Sequence, residues 1–468
     1  MTDYLASVKK WFAEEGVLIS DKKRLLLENF ANNELNKELV EQILNSRNKL
    51  MKNWELTNRL EDIKNQHLTI PNGTVGKPYE AVLDFGTLGW TDIALWEISG
   101  LQEIGLSYDA EAKKITGIPE QSGDLHFVFK FKLTGEEENA PLNEKKVSLI
   151  INPNPRSLWK NIDSDRNSPY WKEDEASLAA SLGEKSLVIA SKRGRSHANT
   201  GLFRDDDFAF KSFDNGWSVI AVADGAGSAP LSRKGSKIAC SGVISYFSQQ
   251  FSTDSFTGFD SLVSEHQSKT GDDTHKKLNL FVYNELGKAA FAVHKKLEDF
   301  AGSIQVPLKE LHTTLIFALL KKYSFGYAIL TFGVGDCPIN LINTDKTEVT
   351  LMNWLDVGEF GGGTRFITMP EIFKSDKFHT RFGFKLVEDF SYLVMMTDGI
   401  YDPKFIVEAN LEKAENWTAF ISDLNGNNAE HAKVDLKAGN ASVEEQLLNW
   451  MDFWNPGNHD DRTLAIVY

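Results

Sequence analysis

The sequence predicts a mixed α+β chain. Apolar residues recur at helical spacing near the N-terminus, and they alternate in short strands between residues 67 and 151. Beyond that point, apolar strands alternate with two long helical patterns. With 468 residues, the chain is long enough for two or three domains. We predict a helical segment over residues 1–65, an all-β module over 66–151, a linker over 152–185 and a larger domain over 186–468.

Composition and charge exclude several classes of protein. Acidic residues exceed basic ones by 15, which disfavours a general nucleic-acid binder or an anionic-membrane binder and favours a site for cations. The only cysteines, Cys240 and Cys337, are too few for a disulfide framework or a cysteine-based zinc site. The N-terminus lacks a signal-peptide pattern, and no apolar run is long enough to span a bilayer. We therefore expect a soluble, cytoplasmic protein.

The N-terminal segment has two interpretations. Apolar residues recur every three or four positions between Tyr4 and Leu44, and Ser20 with Asp21 is expected to cap a second helix. A small bundle that packs on its neighbour fits this pattern, and so does a dedicated docking module. The sequence does not separate them.

Residues 66–151 are predicted to form strands joined by turns. Leu125, Phe127, Phe129, Phe131 and Leu133 alternate with mostly polar residues, which is typical of a strand with one buried face. The turn-rich stretches at residues 70–79, 105–109 and 115–123 resemble the immunoglobulin-like module of many bacterial multidomain proteins. That resemblance implies a β-sandwich without catalytic residues, used as a spacer or a binding surface.

Aspartates stand at the ends of apolar strands in the larger domain. Asn215-Gly216 between two β-rich runs indicates a two-residue hairpin loop, which would place Asp207 directly opposite Asp224 with their Cβ atoms about 5 Å apart. Like charges in that position destabilise a hairpin, so the pair would require a cation.

Other aspartates at strand ends extend this cluster. Asp336 and Asp398 follow apolar strands, and Asp460 precedes the last one. In an antiparallel sheet these strand ends can meet at one rim. A single aspartate at a strand end is more often a turn residue than a ligand, but several in one domain favour a metal site. Carboxylate ligands alone favour Mg²⁺ or Mn²⁺ over zinc.

Five motifs, in order, resemble the metal-dependent protein phosphatase 2C family over residues 186–468. They are Asp206-Asp207, Ala223 to Gly227, Gly335-Asp336, Thr397 to Gly399 and Asp460 to Thr463. The resemblance implies two antiparallel sheets packed as a β-sandwich and flanked by helices. It also implies a Ser/Thr phosphoprotein phosphatase that hydrolyses phosphomonoesters with a water activated between two Mn²⁺ or Mg²⁺ ions. The sequence from Gly194 to His197 is similar to a divergent bacterial branch.

The resemblance also implies a role for individual residues. Asp224 would bridge the two ions, Gly225 would offer its backbone carbonyl, and Asp398 with Asp460 would complete the site of one ion. Two aspartates would serve the second ion, Asp206 as a ligand and Asp207 either directly or through a water, whereas Asp336 would bind a weaker third ion. The implied partners are a phosphorylated protein and a Ser/Thr kinase that acts on the same target.

The chain departs from the family at the positions expected to handle the phosphate. Ala226 replaces a histidine that would protonate the leaving group, and Leu202 stands where members carry an arginine. His197 is our first candidate to contact the phosphate and Arg204 the second, with Arg195 also possible and a plain surface role open for each. The glycine-rich segment over residues 356–364 is either a flap near the active site or a long turn.

A second function stays open at this point. The chain could be a phosphatase-fold scaffold of little activity that docks a phosphorylated partner through residues 1–151. Loss of the family histidine and arginine favours the scaffold. Retention of every acidic position favours catalysis, because unneeded carboxylates packed together would only cost stability.

Overall fold

The computed structural model describes residues 3–253, 256–268, 272–356 and 363–468. It divides into two compact units, residues 1–158 and residues 159–468. Across the described ranges, no helix combines the length and the apolar character needed to cross a lipid bilayer. Most of the glycine-rich segment predicted as a flap or turn, residues 357–362, lies outside the described residues.

The first unit begins with three helices, α1 (Tyr4–Glu14), α2 (Arg24–Ala31) and α3 (Glu34–Asn65). Val8, Leu27, Ala31 and Val40 form their small shared core. The predicted cap at residues 20–21 does not adjoin α2. Ser20 instead precedes a 3₁₀ turn over Asp21–Lys23, and this turn leads into α2.

Seven strands follow in the first unit: β1 (Gly73–Thr74), β2 (Tyr79–Val82), β3 (Ile93–Ser99), β4 (Leu106–Asp109), β5 (Lys114–Gly117), β6 (Gly123–Leu133) and β7 (Asn143–Asn152). They form a four-stranded sheet in the order β1-β7-β6-β3 and a three-stranded sheet in the order β2-β5-β4. The alternation predicted for residues 125–133 is confirmed in β6, where Phe127, Phe129 and Phe131 are buried. These rings belong to a core that takes residues from both sheets.

The C-terminal end of α3 is fixed to these strands. Arg59 forms an ion pair with Asp92 at 2.8 Å. The ammonium group of Lys145 donates to the carbonyl oxygens of Lys64 and Gln66 at 2.7 and 2.6 Å. The last turns of α3 are therefore held by the β strands, whereas its first turns pack in the helical core.

The second unit contains eleven strands and seven helices among its described residues: β8 (Glu175–Leu182), β9 (Lys185–Lys192), α4 (Arg195–Thr200), β10 (Asp207–Ser212), β11 (Trp217–Ala223), α5 (Ser232–Ser252), α6 (Thr257–Ser268), α7 (Asp272–Ser303), β12 (Leu315–Tyr323), β13 (Gly326–Val334), β14 (Ile339–Ile342), β15 (Val349–Leu351), β16 (Phe382–Val387), β17 (Tyr392–Met396), α8 (Asp398–Phe405), α9 (Ala414–Leu424), α10 (Val443–Trp450) and β18 (Arg462–Val467). Strand β8 lies in the segment that we predicted to be a linker.

Two antiparallel sheets organise this unit. One has the order β10-β11-β12-β13-β16 and the other β15-β14-β17-β18-β9-β8. One buried cluster takes residues from both sheets, among them Ile189 of β9 and Val222 of β11. Because side chains alternate along a strand, the neighbouring Ala221 faces a second cluster with α5 and α7, and Val188 faces a third with α8, α9 and α10.

The hairpin of β10 and β11 forms as predicted, but its predicted register is wrong by one residue. Asp207 pairs with Ala223 and not with Asp224. The type I′ turn that Asn-Gly favours in a two-residue loop requires positive φ at both loop residues, whereas Gly216 adopts a φ of +86° and Asn215 does not share that region. The loop therefore includes Asp214 as well. A one-residue shift moves side chains to the opposite face, so Asp206 rather than Asp207 shares a face with Asp224.

Candidate active site

Strand ends of both sheets carry the predicted aspartate ligands to one place. Asp224 follows β11 directly, and its carboxylate, that of Asp336 and the thiol of Cys337 have ligand atoms within 4.8 Å of one another. Burial raises the pKa of Asp224 well above its ordinary value, and the charges of Asp398, Asp206, Asp460 and Asp336 raise it further. The structure therefore gathers five of the six predicted aspartates into one acidic cluster. Asp206 is buried, Asp224, Asp336 and Asp398 are half-buried, and Asp460 is exposed.

The backbone beside Asp224 is fixed by β12. The ladder between β11 and β12 continues to a bridge between Gly225 and Thr313. Thr314 accepts a hydrogen bond from the Asp224 amide at 2.9 Å through its hydroxyl, and its own amide donates to the Asp224 carbonyl at 2.8 Å. A Cβ at Gly225 would lie 2.6 Å from the Asp205 carbonyl oxygen, so only glycine fits there.

Asp206 and Asp207 have different surroundings. Asp206 is almost fully buried, and its Oδ2 accepts from the hydroxyls of Thr397 and Thr463 at 2.8 and 2.7 Å. Burial, followed by the charge of Asp461, raises its pKa. Asp207 instead forms an ion pair with Lys172 at 3.1 Å. The role of Asp207 as a metal ligand stays a prediction. In this structure its carboxylate is paired with the Lys172 ammonium group.

Two buried cations hold the loop that carries these aspartates. Lys172 donates to the Asp206 carbonyl at 2.5 Å and to the Asp205 carbonyl at 3.4 Å. Arg204 donates to the same Asp206 carbonyl at 2.8 Å and to the Ser191 hydroxyl at 2.6 Å, with only 3% of its surface exposed. The Arg204 guanidinium predicted to contact the phosphate is therefore engaged in positioning Asp206.

His197 lies at the edge of the cluster in a network of aspartates. Its Nδ1 is 3.0 Å from Asp461 Oδ1, and its Nε2 is 3.9 Å from Asp205 Oδ2. Burial alone would lower the pKa of His197, but the hydrogen bond to Asp461 and the charges of Asp461, Asp205 and Asp460 raise it to about 9. Asp461 also accepts from the Gly194 amide at 2.6 Å. This buried imidazolium therefore balances negative charge beside Asp460.

Sequence reasoning missed Asp402. It lies one helical turn after Asp398 in α8, a spacing that puts both carboxylates on one face. Burial raises the pKa of Asp402, and the charge of Asp336 raises it further. The four-residue spacing was the signal that could have identified it.

Sequence reasoning also missed the segment of residues 364–368, which contacts Asp336 and His312. The Thr364 hydroxyl donates to Asp336 Oδ2 at 2.7 Å. The Phe366 ring stacks on His312 with centroids 4.8 Å apart, and the Thr368 hydroxyl lies 2.6 Å from His312 Nδ1. These contacts join distant parts of the chain, and no local pattern indicates them.

The acidic cluster fits a divalent cation. Asp336 Oδ1 is buried and has no hydrogen-bond partner within the described ranges. This oxygen is therefore available to coordinate a cation. The carboxylates raise one another's pKa, which shows that their charges are not fully compensated by the protein. Hard oxygen donors suit Mg²⁺ or Mn²⁺, and the buried Cys337 thiol, whose pKa burial raises, is not a competing thiolate.

Without metal, the chain is expected to lose stability as the pH rises from about 5 to about 8. Burial and then the charge of Asp461 raise the pKa of Asp205 from 3.8 to about 6, and Asp224 and Asp398 are shifted in the same direction. A carboxyl with a raised pKa holds its proton more tightly when folded, so the stability it contributes is greatest at low pH and falls through this window. The pKa of His197 is also raised, to about 9, so the stability that His197 contributes likewise falls as the pH rises.

Thermal unfolding in EDTA at the two ends of this pH range measures the effect. We expect the higher melting temperature at the acidic end, and we expect added Mn²⁺ to reverse the order because metal ligands must be deprotonated. An EDTA melting temperature that is equal or higher at the alkaline end would show that the cluster is not under charge repulsion.

One family model and several solved structures are similar to this chain. A family model described as protein phosphatase 2C matches residues 193–451, more than half of the chain. Among solved structures, the chain is similar to the serine/threonine phosphatase Stp1 from Staphylococcus aureus, at 12% identity and a TM-score of 0.32, covering 65% of this chain and 98% of that one. It is also similar to the serine/threonine phosphatase of S. agalactiae, at 13% identity and a TM-score of 0.32, covering 63% and 99%.

A third similar structure is RsbX in complex with magnesium, at 14% identity and a TM-score of 0.30, covering 62% of this chain and 98% of that one. None of the curated proteins matches this sequence. The family assignment rests on the family model, whose matched region contains Asp206, Asp224, Asp336 and Asp398. The chain therefore belongs to the protein phosphatase 2C family of protein Ser/Thr phosphatases.

Proposed function

We propose that this chain is a metal-dependent Ser/Thr phosphoprotein phosphatase that hydrolyses phosphomonoesters with Mn²⁺ or Mg²⁺. The observation that carries the proposal is the acidic cluster around Asp224, where the charges of four other aspartates raise the pKa of Asp224. Divalent ions held there would neutralise these charges, lower the pKa of a water and stabilise the charge of the transferred phosphoryl group. No nucleophilic side chain is required.

We assign the residues as follows. Asp224 would hold both ions together with the Gly225 carbonyl, and Asp398 with Asp460 would complete the site of one ion. Asp206, whose carboxylate is fixed by two threonine hydrogen bonds, would hold the other ion. Asp336 with Asp402 would hold a weaker third ion. We assign Asp207 to pairing with Lys172, and His197 to balancing the charge beside Asp460.

We further propose that His312 protonates the leaving oxygen. In the ladder of β11 and β12, the Ala226 amide donates to the His312 carbonyl, so these two residues face each other across the ladder. Alternation then puts the His312 side chain on the same face as Asp224, one diagonal step away. Thr368 holds Nδ1, which leaves Nε2 for the substrate. Burial lowers the pKa of His312, and the charge of a bound phosphate opposes that shift.

His312→Gln is expected to slow hydrolysis of a phosphothreonine peptide by ~10² to 10⁴-fold while changing hydrolysis of an activated aryl phosphate much less. An alkoxide leaving group needs the proton, whereas a nitrophenolate leaves without it. Initial rates on both substrates in Mn²⁺ measure the effect, with His431→Gln as the matched control at an exposed histidine. Equal loss on both substrates would contradict proton donation and indicate a structural role.

The proposed function is tested by phosphate release from phosphoserine and phosphothreonine peptides in Mn²⁺, in Mg²⁺ and in EDTA. We expect turnover with either ion and none in EDTA, with recovery when metal is returned in excess. A folded chain that binds the phosphopeptide but releases no phosphate with any ion would instead favour a phosphatase-fold scaffold.

We also propose a cellular setting. The substrate is a phosphorylated protein, a Ser/Thr kinase acts on the same target, and the chain works in the cytoplasm. Residues 66–151 serve as an immunoglobulin-like spacer, which their two sheets around one shared core support. Detection of the chain in a cytosolic fraction, away from membranes, tests the location.

A further inference from the structure

Helix α3 carries an apolar stripe that faces solvent. The α3 stripe consists of Leu35, Leu39, Ile43, Leu50 and Trp54, with 71, 55, 49, 69 and 64% of their surfaces exposed. Their spacing of three to four residues, continued by Ser46 between Ile43 and Leu50, keeps them on one face over about 28 Å of helix. Contiguous exposed apolar surface of this kind marks an interaction site.

The stripe is not needed for packing inside its own unit. A different face of α3 supplies Val40 and Leu44 to the helical core. Further along, Leu56, Leu60 and Ile63 pack with the β strands. Between these two anchored ends, residues 45–55 are all exposed. The middle of α3 is therefore exposed to solvent on all sides, and the α3 stripe faces solvent there.

The charges beside the stripe are complementary to a second copy of the same helix. Glu38 lies near one end and Lys49 near the other, eleven residues and three turns apart, so they share one edge of the stripe. Neither forms an ion pair with any residue that the structure describes. In an antiparallel pair with Leu35 opposite Trp54 of the other copy, Glu38 lies on the same side of the pair as Lys49 of the other copy and about 3 Å from its level along the helix, within reach of both long side chains. Symmetry repeats the contact.

We propose that α3 is the interface of an antiparallel homodimer, with the α3 stripe of one copy packed against the α3 stripe of the other. The contact is self-complementary, as a two-fold symmetric interface requires. Leu39 packs opposite Leu50 of the second copy, and Ile43 opposite Ser46 near the axis.

Sedimentation equilibrium of the full chain at micromolar concentrations tests the interface. We expect a dimer for the wild type and a monomer for Leu39→Glu combined with Leu50→Glu. Leu18→Glu, at an exposed leucine outside the stripe, is the matched control and should stay dimeric. Far-UV circular dichroism of each variant checks that α3 is still folded.

A charge-reversal cycle tests the antiparallel orientation without touching the apolar residues. Glu38→Lys or Lys49→Glu alone should raise the dimer dissociation constant by about tenfold, and the two together should restore it to within about threefold. A monomeric wild type would overturn the proposal, as would a dimer that survives the stripe substitutions or a double reversal that fails to restore affinity. Phosphatase activity plays no part in these readouts, so the dimer and the proposed function fail independently.

Discussion

Asp224→Asn is expected to abolish phosphomonoester hydrolysis and, at the same time, to stabilise the metal-free chain. Asp224 is the residue on which the charges of Asp398, Asp206, Asp460 and Asp336 all act. Removing its carboxylate would remove the proposed shared ligand of the two ions, which should lower kcat/KM by ~10³-fold or more. The same change relieves like-charge repulsion, so the melting temperature in EDTA should rise by roughly 2 to 6 °C.

The opposite signs of these two effects make the prediction specific. Asp214→Asn, at an exposed aspartate of the adjoining hairpin loop, is the matched control and should change neither quantity. Phosphate release and thermal unfolding with and without EDTA measure both effects on one preparation. Retained metal-dependent turnover in Asp224→Asn would remove this residue from the site. A lower melting temperature in EDTA would show that its role is structural.

Lys172→Met is expected to destabilise the chain by about 3 to 5 kcal/mol and to weaken metal binding by ~10 to 100-fold. The ammonium group is buried, where burial lowers its pKa, and it contacts the carbonyls of Asp205 and Asp206 and the carboxylate of Asp207. Removing it leaves the partly buried Asp207 carboxylate without its cation and frees the loop that places Asp206.

The Mn²⁺ concentration for half-maximal activity, measured with the urea midpoint of unfolding, tests this role. Lys160→Met is the control, because Lys160 is exposed in the same segment of the chain. We expect Lys172→Met to shift both quantities and Lys160→Met to shift neither. If Lys172→Met lowered stability but left the Mn²⁺ requirement unchanged, Lys172 would be a packing residue with no influence on the metal ligands.

The acidic cluster could be predicted from the sequence because its members stand at the ends of recognisable apolar strands. Asp224, Asp336 and Asp398 each follow such a run, and antiparallel pairing brings strand ends to one rim. The family assignment from ordered motifs is confirmed by the family model. The immunoglobulin-like resemblance of residues 66–151 stays a prediction.

Three features of the site were not predicted from the sequence: the hairpin register, the role of Lys172 and the place of His312. They depend on a single backbone angle or on contacts between residues far apart in the chain. The register of the β10–β11 hairpin depends on φ at Asn215, so the face of Asp207 was mispredicted although the turn itself was found. Lys172 lies in the segment predicted to be a linker, more than thirty residues before the loop it holds. His312 reaches its place through Thr368, a contact between residues far apart in the chain.

The measurement that tests the central claim most directly is Mn²⁺ binding to the full chain by equilibrium dialysis, with Asp224→Asn dialysed in parallel. Our account predicts saturable binding of about two ions per chain at neutral pH and loss of that binding in the variant. A folded wild-type chain that binds no Mn²⁺, or that binds it equally well without the Asp224 carboxylate, would contradict the assignment of the acidic cluster as a metal centre.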